Sequence, residues 1–379
     1  MHVAEVRLVN FRSYHDTRFS FTPGLNVIVG ENASGKTNLL EGAYYALRGA
    51  SPRTTRDDKL ISWGEDYTRV EVKLGDAHAV QVFYAAGQGK RVRVDGAEAA
   101  NLDDVRRRAQ AFIFVPESLL LVKGGPARRR THIDVFGAAL DPGYRAALAA
   151  LQGAVRQRNA QLLSVRAGAS ESSLDPWDAQ LAAAGADLGH RRRELVERLA
   201  RPFAAFAAAL TPWGGACGLR LRSALAEFDY EPGPYLAALR DRRHADVQRG
   251  ISGLGPHRDD VELVELAADA VPGAQERFPD GARDLRLFGS QGEQRAAVLA
   301  LLLAERQVAA EVTGDLGTLF LDDVMSELDE DRRRLLVGAL ASPGQAIITT
   351  TTIMYFTPEE LDGARVIELP PGHAAGSRG

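Results

Sequence analysis

Apolar and polar positions first alternate with a period of two. The segments VAEVRLVNF and LNVIVG, then YTRVEVKL and AVQVFY before Asn101, put apolar side chains on one face of an extended chain and predict β-strands joined by turns. Between them, TNLLEGAYYALRG aligns Leu39, Leu40, Ala43 and Leu47 on one helical stripe. After AFIFVPE the chain turns to alanine, leucine and arginine, and two long helical patterns follow, DPGYRAALAALQGAVRQRNAQLLSV and WDAQLAAAGADLGHRRRELVERLARPFAAFAAAL. The small, polar GASESS break between them predicts a helical hairpin over about residues 141–210. Neither pattern keeps strict heptads, and a rise of ~1.5 Å per residue limits each to roughly 50 Å, so the hairpin belongs to a lobe and is not a long coiled-coil arm. From Arg286 onward the order helix, strand, helix, strand closes an α/β sheet, and the tail PGHAAGSRG reads as disordered.

At 379 residues the chain outgrows a single hydrophobic core, and its 45% apolar content suits two packed lobes. The formal net charge of -4 excludes wholesale coating of nucleic acid, so any phosphate-binding surface is regional. A single cysteine, Cys217, rules out an intrachain disulfide and a cysteine metal cluster and fits the cytoplasm. The start MHVAEVRLVNFRSY lacks the apolar core of a signal peptide. The longest apolar run, AAVLALLLA at 296 to 304, falls well short of a membrane span. A soluble intracellular protein without a membrane partner is expected.

Gly30-Glu31-Asn32-Ala33-Ser34-Gly35-Lys36-Thr37 is a P-loop string lying between a strand and a helix. The glycines let backbone N–H groups turn inward around a β-phosphate, the helix N-terminus adds its dipole, Lys36 reaches the β/γ oxygens, and Thr37 ligates Mg²⁺. No lysine is preceded by asparagine, which removes the usual guanine-reading element and favours ATP. Thr318 to Asp323 is an apolar strand ending in two carboxylates, the Walker B arrangement: Asp322 holds the metal and Asp323 orients or deprotonates the attacking water.

Ser326-Glu327-Leu328-Asp329 follows shortly afterwards, and Ser290-Gln291-Gly292-Glu293-Gln294 opens a long apolar helix upstream. The latter string is equally an ordinary helix cap. Together they resemble the D-loop and the signature motif of ABC ATPases, where Ser290 and the backbone of Gly292 grip the γ-phosphate of a partner subunit's ATP. The fold class expected is therefore α/β, an ABC-type ATPase head with a P-loop NTPase sheet. Residues 1–115 and 311–379 form a discontinuous ATPase lobe I, and residues 116–310 form a mainly α-helical lobe II carrying the hairpin and the signature at 288–294.

NFRSY, GENASGKTNLLEGAYYALRGASPRT, FVPESLLLVKGGPARRRTHIDV, QRNAQLL, LDPWDAQLAAAG, GLGPHRDD, FGSQGEQR and FLDDVMSELD, in that order, resemble the RecF family over nearly the whole chain. The resemblance implies an SMC-like head without the long coiled coil, acting in DNA repair and replication. On that likeness ATP closes a homodimer around DNA at single-strand gaps or junctions, slow hydrolysis releases it, and the clamp works with RecO and RecR to load RecA. The chain departs from many ABC ATPases in carrying Asp323 where glutamate is usual and in lacking a switch histidine after QAII, where Thr349 to Thr352 supply hydroxyls for a γ-phosphate. No Q-loop glutamine follows AFIFVP, where Glu117 and Ser118 stand.

For DNA, Arg53, Arg56 and Lys59 lie in a stretch read as loop, where they form either a phosphate-contacting row or a solvated surface. Arg128, Arg129 and Arg130 follow a Gly-Gly-Pro turn, while Arg106 to Arg108 and Arg191 to Arg193 read as solvated helical faces. Arg12 reaches either a nucleotide phosphate or DNA, and His257 and Arg258 read as structural or interface residues. No basic strand studded with aromatics is apparent, which favours backbone contacts to duplex over base stacking. Two other readings compete: the ATPase subunit of a membrane transporter, and a scaffold that uses ATP as dimer glue without turnover.

Overall fold

The computed structural model describes residues 1–76, 78–99, 102, 105–106, 109–210, 216–266, 282–340 and 344–370. The tail PGHAAGSRG and the arginines at 107 and 108 lie outside the described residues. Strands are numbered β1 to β14 in chain order. The chain forms two compact units, one of Met1–Leu119, Ala209–Trp213 and Val298–Gly379, the other of Leu120–Ala208 and Gly214–Ala297. The division therefore falls inside the helix Gln291–Thr313 and after Leu119, where the sequence had placed it at 310 and 115. The buried run from Val298 to Ala304 belongs with the first unit's core.

Two sheets build the first unit. Strands β1 (Val3–Phe11), β2 (Tyr14–Ser20), β4 (Tyr67–Leu74), β5 (Ala79–Ala85), β6 (Gly89–Val94) and β7 (Ala97–Ala99) form an antiparallel sheet in the order β2-β1-β4-β5-β6-β7. One face is apolar, as the alternation requires, and Val70, Val72, Val80 and Val82 on it are all buried. Strands β3 (Leu25–Val29), β8 (Ala111–Phe114), β12 (Thr318–Asp322), β13 (Gln345–Thr350) and β14 (Arg365–Glu368) form a parallel sheet in the order β14-β3-β13-β12-β8. Its central strands β12 and β13 are buried at every residue, which explains why they read as continuous apolar runs and not as alternation. The helix Lys36–Arg48 sits between the sheets, with Leu39, Leu40, Ala43 and Leu47 in one core with Phe11, Val72, Phe320 and Ile347.

The second unit carries β9 (Ala216–Arg222), β10 (Asp260–Leu266) and β11 (Arg283–Asp284), ordered β11-β10-β9, and the expected pair of long helices. Asp141 caps the first, Pro142–Arg166, by accepting from the Gly143 and Tyr144 N–H groups, with Pro142 in the first turn. The second, Asp175–Leu210, has 36 residues and spans ~54 Å, slightly more than the sequence suggested, because it begins at Asp175, ahead of Trp177, and continues through Pro202 as the pattern did. Among the described residues, no helix is long and apolar enough to cross a membrane.

Three buried arginines fasten this unit. Arg158, fully buried, donates to Asp178 Oδ1 (2.6 Å), Asp246 Oδ2 (2.7 Å) and Ser252 Oγ (2.9 Å). Arg192 donates to Asp259 Oδ2 (2.6 Å), Asp134 Oδ1 (3.0 Å) and the Pro256 carbonyl (2.7 Å). Arg129 makes a two-pronged pair with Asp260 at 2.7 and 2.8 Å. The strings QRNAQLL, LDPWDAQLAAAG and GPHRDD thus converge on ion pairs that hold the fold, and His257 joins them by a 2.9 Å hydrogen bond to the Ser252 carbonyl. The triplet Arg191 to Arg193 is not a solvated face throughout: Arg192 is buried because Asp134 and Asp259 take its charge.

Removing Arg158 leaves Asp178 and Asp246 buried without their shared cation. Arg158→Ala is therefore expected to lose about 3–5 kcal/mol in urea unfolding; a loss under about 1 kcal/mol, the range of an exposed pair, contradicts the network.

Candidate nucleotide site and signature helix

The carboxyl ends of β3, β13 and β12 lie side by side, the place where open parallel sheets gather ligand-binding loops. The segment Gly30 to Thr37 leaves β3 there and is tethered by a Gly30 N–H bond to the Thr350 carbonyl (3.2 Å) at the end of β13. Gly35 has φ +101°, and a Cβ on it would stand 2.7 Å from the Tyr14 hydroxyl, so glycine is required twice over. The Tyr14 hydroxyl donates to the Gly35 carbonyl at 3.1 Å, fixing the turn into the helix. A Cβ at Gly30 would lie 2.6 Å from Ser34 Oγ, which is itself buried with no hydrogen-bond partner.

Lys36 is 7% exposed and folds back over the loop, its Nζ donating to the Gly30 (2.6 Å) and Glu31 (2.8 Å) carbonyls. Burial pushes its ammonium below the usual lysine range, against the pull of Asp323 and Asp322. Thr37 Oγ1 donates to both oxygens of Asp322, at 3.0 and 2.8 Å. Thr349 Oγ1, wholly buried, donates to Asp322 Oδ1 (2.7 Å) and accepts from the Asp323 N–H (3.0 Å). Thr349 is thus engaged by the Asp322 carboxylate and the Asp323 N–H, and Thr350 by the Thr352 carbonyl, so these two hydroxyls already have partners within the chain, where the sequence suggested a γ-phosphate. The Thr37 hydroxyl beside the Asp322 carboxylate is an all-oxygen donor pair that suits Mg²⁺, which takes one or two protein oxygens and completes its shell with phosphate and water. Among the described residues, no cluster of three or more His, Cys, Asp or Glu offers a self-sufficient metal cage.

Asp323 adopts φ +47°, a left-handed conformation uncommon outside glycine, so the chain turns sharply where the second carboxylate emerges. Its Oδ1 is buried without a hydrogen-bond partner. Burial raises its pKa, Asp322 adds to the rise, and a Ser326 hydrogen bond opposes it. That is the electrostatic state of a poised proton acceptor.

Glu41, on the helix after the loop, was not legible as a site residue. It is 0% exposed and accepts from Arg12 (2.8 and 3.0 Å), Arg53 (3.1 Å) and Ser51 Oγ (2.6 Å). Arg53 also reaches Glu117 at 3.3 Å, which occupies the acidic position found where a glutamine was sought. Arg12 and Arg53 are accordingly partners of one buried carboxylate. Arg56 pairs with Asp58 at 2.6 Å, and its stretch ends in a short 3-10 helix, Asp57–Leu60, and not in open loop. Arg129 is a correction: it is 5% exposed, locked to Asp260, and unavailable to DNA. Arg130 likewise spends a donor on the Asp259 carbonyl. Of the six arginine and lysine candidates for DNA, Lys59 and Arg128 are the exposed ones with no ion pair among the described residues.

Ser290 caps the helix Gln291–Thr313 in a reciprocal box, its Oγ accepting from the Glu293 N–H (3.3 Å) while Glu293 Oε2 accepts from the Ser290 N–H (2.6 Å). Ser290, Gln291 and Gly292 are exposed, and a Cβ at Gly292 would touch nothing within 4 Å. Gln294 is instead buried and donates to the Leu285 (2.9 Å) and Gly289 (3.1 Å) carbonyls, a structural position. The cap and the presentation of an N-terminus to solvent are one arrangement. In the segment after β12, Ser326 Oγ donates to the Asp323 carbonyl (3.1 Å), Glu327 is exposed, Leu328 is buried, and Asp329 accepts from the Arg332 N–H (3.0 Å).

A glycine loop and a carboxylate strand on a parallel sheet, an added antiparallel sheet, and a helical unit opening its last helix with a capped serine define an ABC-type ATPase head. The fold is shared with the crystal structure of an Smc head bound to the C-winged helix domain of ScpA, at a TM-score of 0.54, 15% identity and 94% and 91% coverage of the two chains. A family model described as an AAA domain matches residues 5–117. The DNA replication and repair protein RecF of Heliobacterium modesticaldum is 34% identical over 385 residues, spanning 100% of both chains. The solved structure of the recombination mediator protein RecF-ATP in the RecFOR pathway aligns at a TM-score of 0.80 with 26% identity, covering 93% of this chain and 92% of that one. The chain belongs to the RecF family of DNA replication and repair proteins, which sets aside a transporter subunit.

Two substitutions probe this geometry without nucleotide. Thr349→Val removes the hydroxyl shared by Asp322 and Asp323 and is expected to cost about 1–3 kcal/mol in denaturant unfolding; an unchanged midpoint contradicts its bridging role. A raised folded-state pKa means that Asp323 favours folding at low pH and loses that contribution as pH climbs from the ordinary carboxylate range through the folded value. Asp323→Asn should therefore raise the melting temperature at neutral pH, with the gain shrinking on acidification; a lower melting temperature at neutral pH contradicts the burial argument.

Proposed function

We propose that the chain is an ATP-operated DNA clamp: ATP bound at Gly30 to Thr37 draws two copies together on DNA at a gap or junction, and slow hydrolysis lets them part. The observation that carries this reading is the exposed, capped Ser290 at a helix N-terminus, an arrangement that suits an anion. In the reading, Ser290 and the Gly292 N–H complete the phosphate contacts of a second copy's nucleotide, with Gln291 and Glu293 shaping the turn. The solved relative described as RecF-ATP supports the choice of nucleotide.

Lys36 exchanges the two loop carbonyls for phosphate oxygens, which are charge-assisted and stronger acceptors. Glu31, Asn32 and Ala33 form the cradle's rim, and the partnerless Ser34 Oγ supplies a buried polar atom within it. Thr37 and Asp322 would hold Mg²⁺, which neutralises phosphate charge when bound. Asp323 accepts the proton of the attacking water, whose oxygen bonds to the γ-phosphorus of ATP as the bond from that phosphorus to the β,γ-bridging oxygen breaks, leaving ADP and inorganic phosphate. Aspartate is one methylene shorter than glutamate, and threonines stand after QAII where a switch histidine is usual, which supports slow turnover and a timing role. Ser326, Glu327, Leu328 and Asp329 follow Asp323 directly and couple its position to the pairing surface. RecO and RecR are the partners the family resemblance supports, acting to load RecA, and the cytoplasm the expected location.

Sedimentation velocity with and without ATP and duplex DNA tests the reading. The natural chain should pair only with ATP, while Lys36→Met and Ser290→Arg stay monomeric; a monomer under every condition overturns it. Asp323→Asn should cut phosphate release about 10²-fold or more and prolong the paired state. If neither changes, ATP serves as glue without turnover.

A further inference from the structure

The outward face of β4, β5 and β6 has no role in the ATP site. Residues opposite the buried valines point to solvent, and the register sets Arg69, Phe83 and Arg91 in one row and Glu71, Gln81 and Arg93 in the next. The Tyr67 and Phe83 rings stack beside them, 5.7 Å apart and inclined by 26°. Arg69, Gln81, Phe83, Arg91 and Arg93 line one hollow of about 220 Å³. Arg69 Nε there is buried and has no hydrogen-bond partner. On the same sheet Asp16 takes Arg7 at 2.7 Å and Glu5 takes Lys73 at 2.9 Å, while Arg18 on β2 has no ion pair among the described residues. Arg69, Arg91 and Arg93 make no ion pair among the described residues, although Glu71 lies in the row beside Arg69 and Glu98 stands opposite Arg93. On a chain of net charge -4, three such arginines around an aromatic pair are a local cationic site.

We infer that this face binds single-stranded nucleic acid, with Phe83 and Tyr67 stacking an unpaired base and Arg69, Arg91 and Arg93 holding the phosphates around it. Phosphates alone would need only the arginines. The stacked rings add a platform that accepts any base by its π-face but reaches none inside a duplex. The inference rests on the reading that the chain works on DNA and specifies which strand form this face takes. β4, β5 and β6 each give one or two residues, so no single basic strand studded with aromatics marks this face in the sequence.

Fluorescence anisotropy tests it with a labelled oligo(dT) of about 15 nucleotides, an abasic strand of equal length and a duplex, all without ATP and repeated on Lys36→Met. Failure of ATP-driven pairing leaves this measurement untouched. The natural chain should prefer oligo(dT) to the abasic strand about tenfold, and Phe83→Leu, which keeps the apolar bulk, should erase that preference at an unchanged melting temperature. Arg91→Glu with Arg93→Glu, both exposed, should weaken both single strands at least tenfold. Equal affinity for oligo(dT) and the abasic strand overturns the inference. So does a Phe83→Leu chain that keeps the preference, or arginine variants that lose only duplex.

Discussion

Asp322 accepts from Thr37 of the phosphate-loop helix and from Thr349 of the neighbouring parallel strand, and everything catalytic is arranged around that carboxylate. The register makes this possible, since Asp322 and Thr349 are direct partners at the ends of β12 and β13, and Thr350 is the partner of Val29, where the loop begins. A one-residue slip of either strand would turn the carboxylate to the opposite face of the sheet. At the far end of the same pair Thr318 Oγ1 donates to Gln345 Oε1 at 2.8 Å, and Gln345 Nε2 donates to the Val3 carbonyl at 2.7 Å, buried bonds that hold the register from well below the site.

Charge near the loop follows the same economy of acceptors. Glu41, fully buried, is tolerable because two guanidinium groups and a hydroxyl satisfy it, and in return it fixes Arg12 and Arg53 beside the P-loop helix. Asp323 is left with the opposite lot, half-buried, next to Asp322, with one oxygen unpartnered and a backbone φ of +47°. Strain and an unsatisfied acceptor concentrated on one residue are what a site keeps for chemistry.

The legible parts of this fold were contiguous in the chain. The loop from Gly30 to Thr37, the strand into Asp322 and Asp323, and the Ser290 cap each fit within a few residues, and local rules suffice to find them. Glu41, the pairing of Thr349 with Asp322 and the aromatic-basic face were not legible, because their meaning comes from partners on other elements, as with Arg12, 29 residues from Glu41, and Asp322, 27 residues from Thr349. The arginine triplets failed for the same reason: Arg191 and Arg192 are neighbours in sequence, yet one lies exposed beside Asp187 and the other is buried between Asp134 and Asp259.

Arginine therefore carries three unlike jobs here, and the supply of carboxylates decides among them. In the helical unit Arg129, Arg158 and Arg192 each meet one or two aspartates, a combination that removing either partner would undo. Beside the loop, Arg12 and Arg53 share Glu41, and Arg53 also reaches Glu117 at 3.3 Å, so two guanidinium groups are held by two glutamates close to where a triphosphate would lie. On the β4–β6 face Arg69, Arg91 and Arg93 have no partner within ion-pair distance among the described residues, which leaves their charge open to an anion from outside the chain. A count of basic residues conceals this ordering, whereas the ratio of cations to reachable carboxylates at each place reveals it.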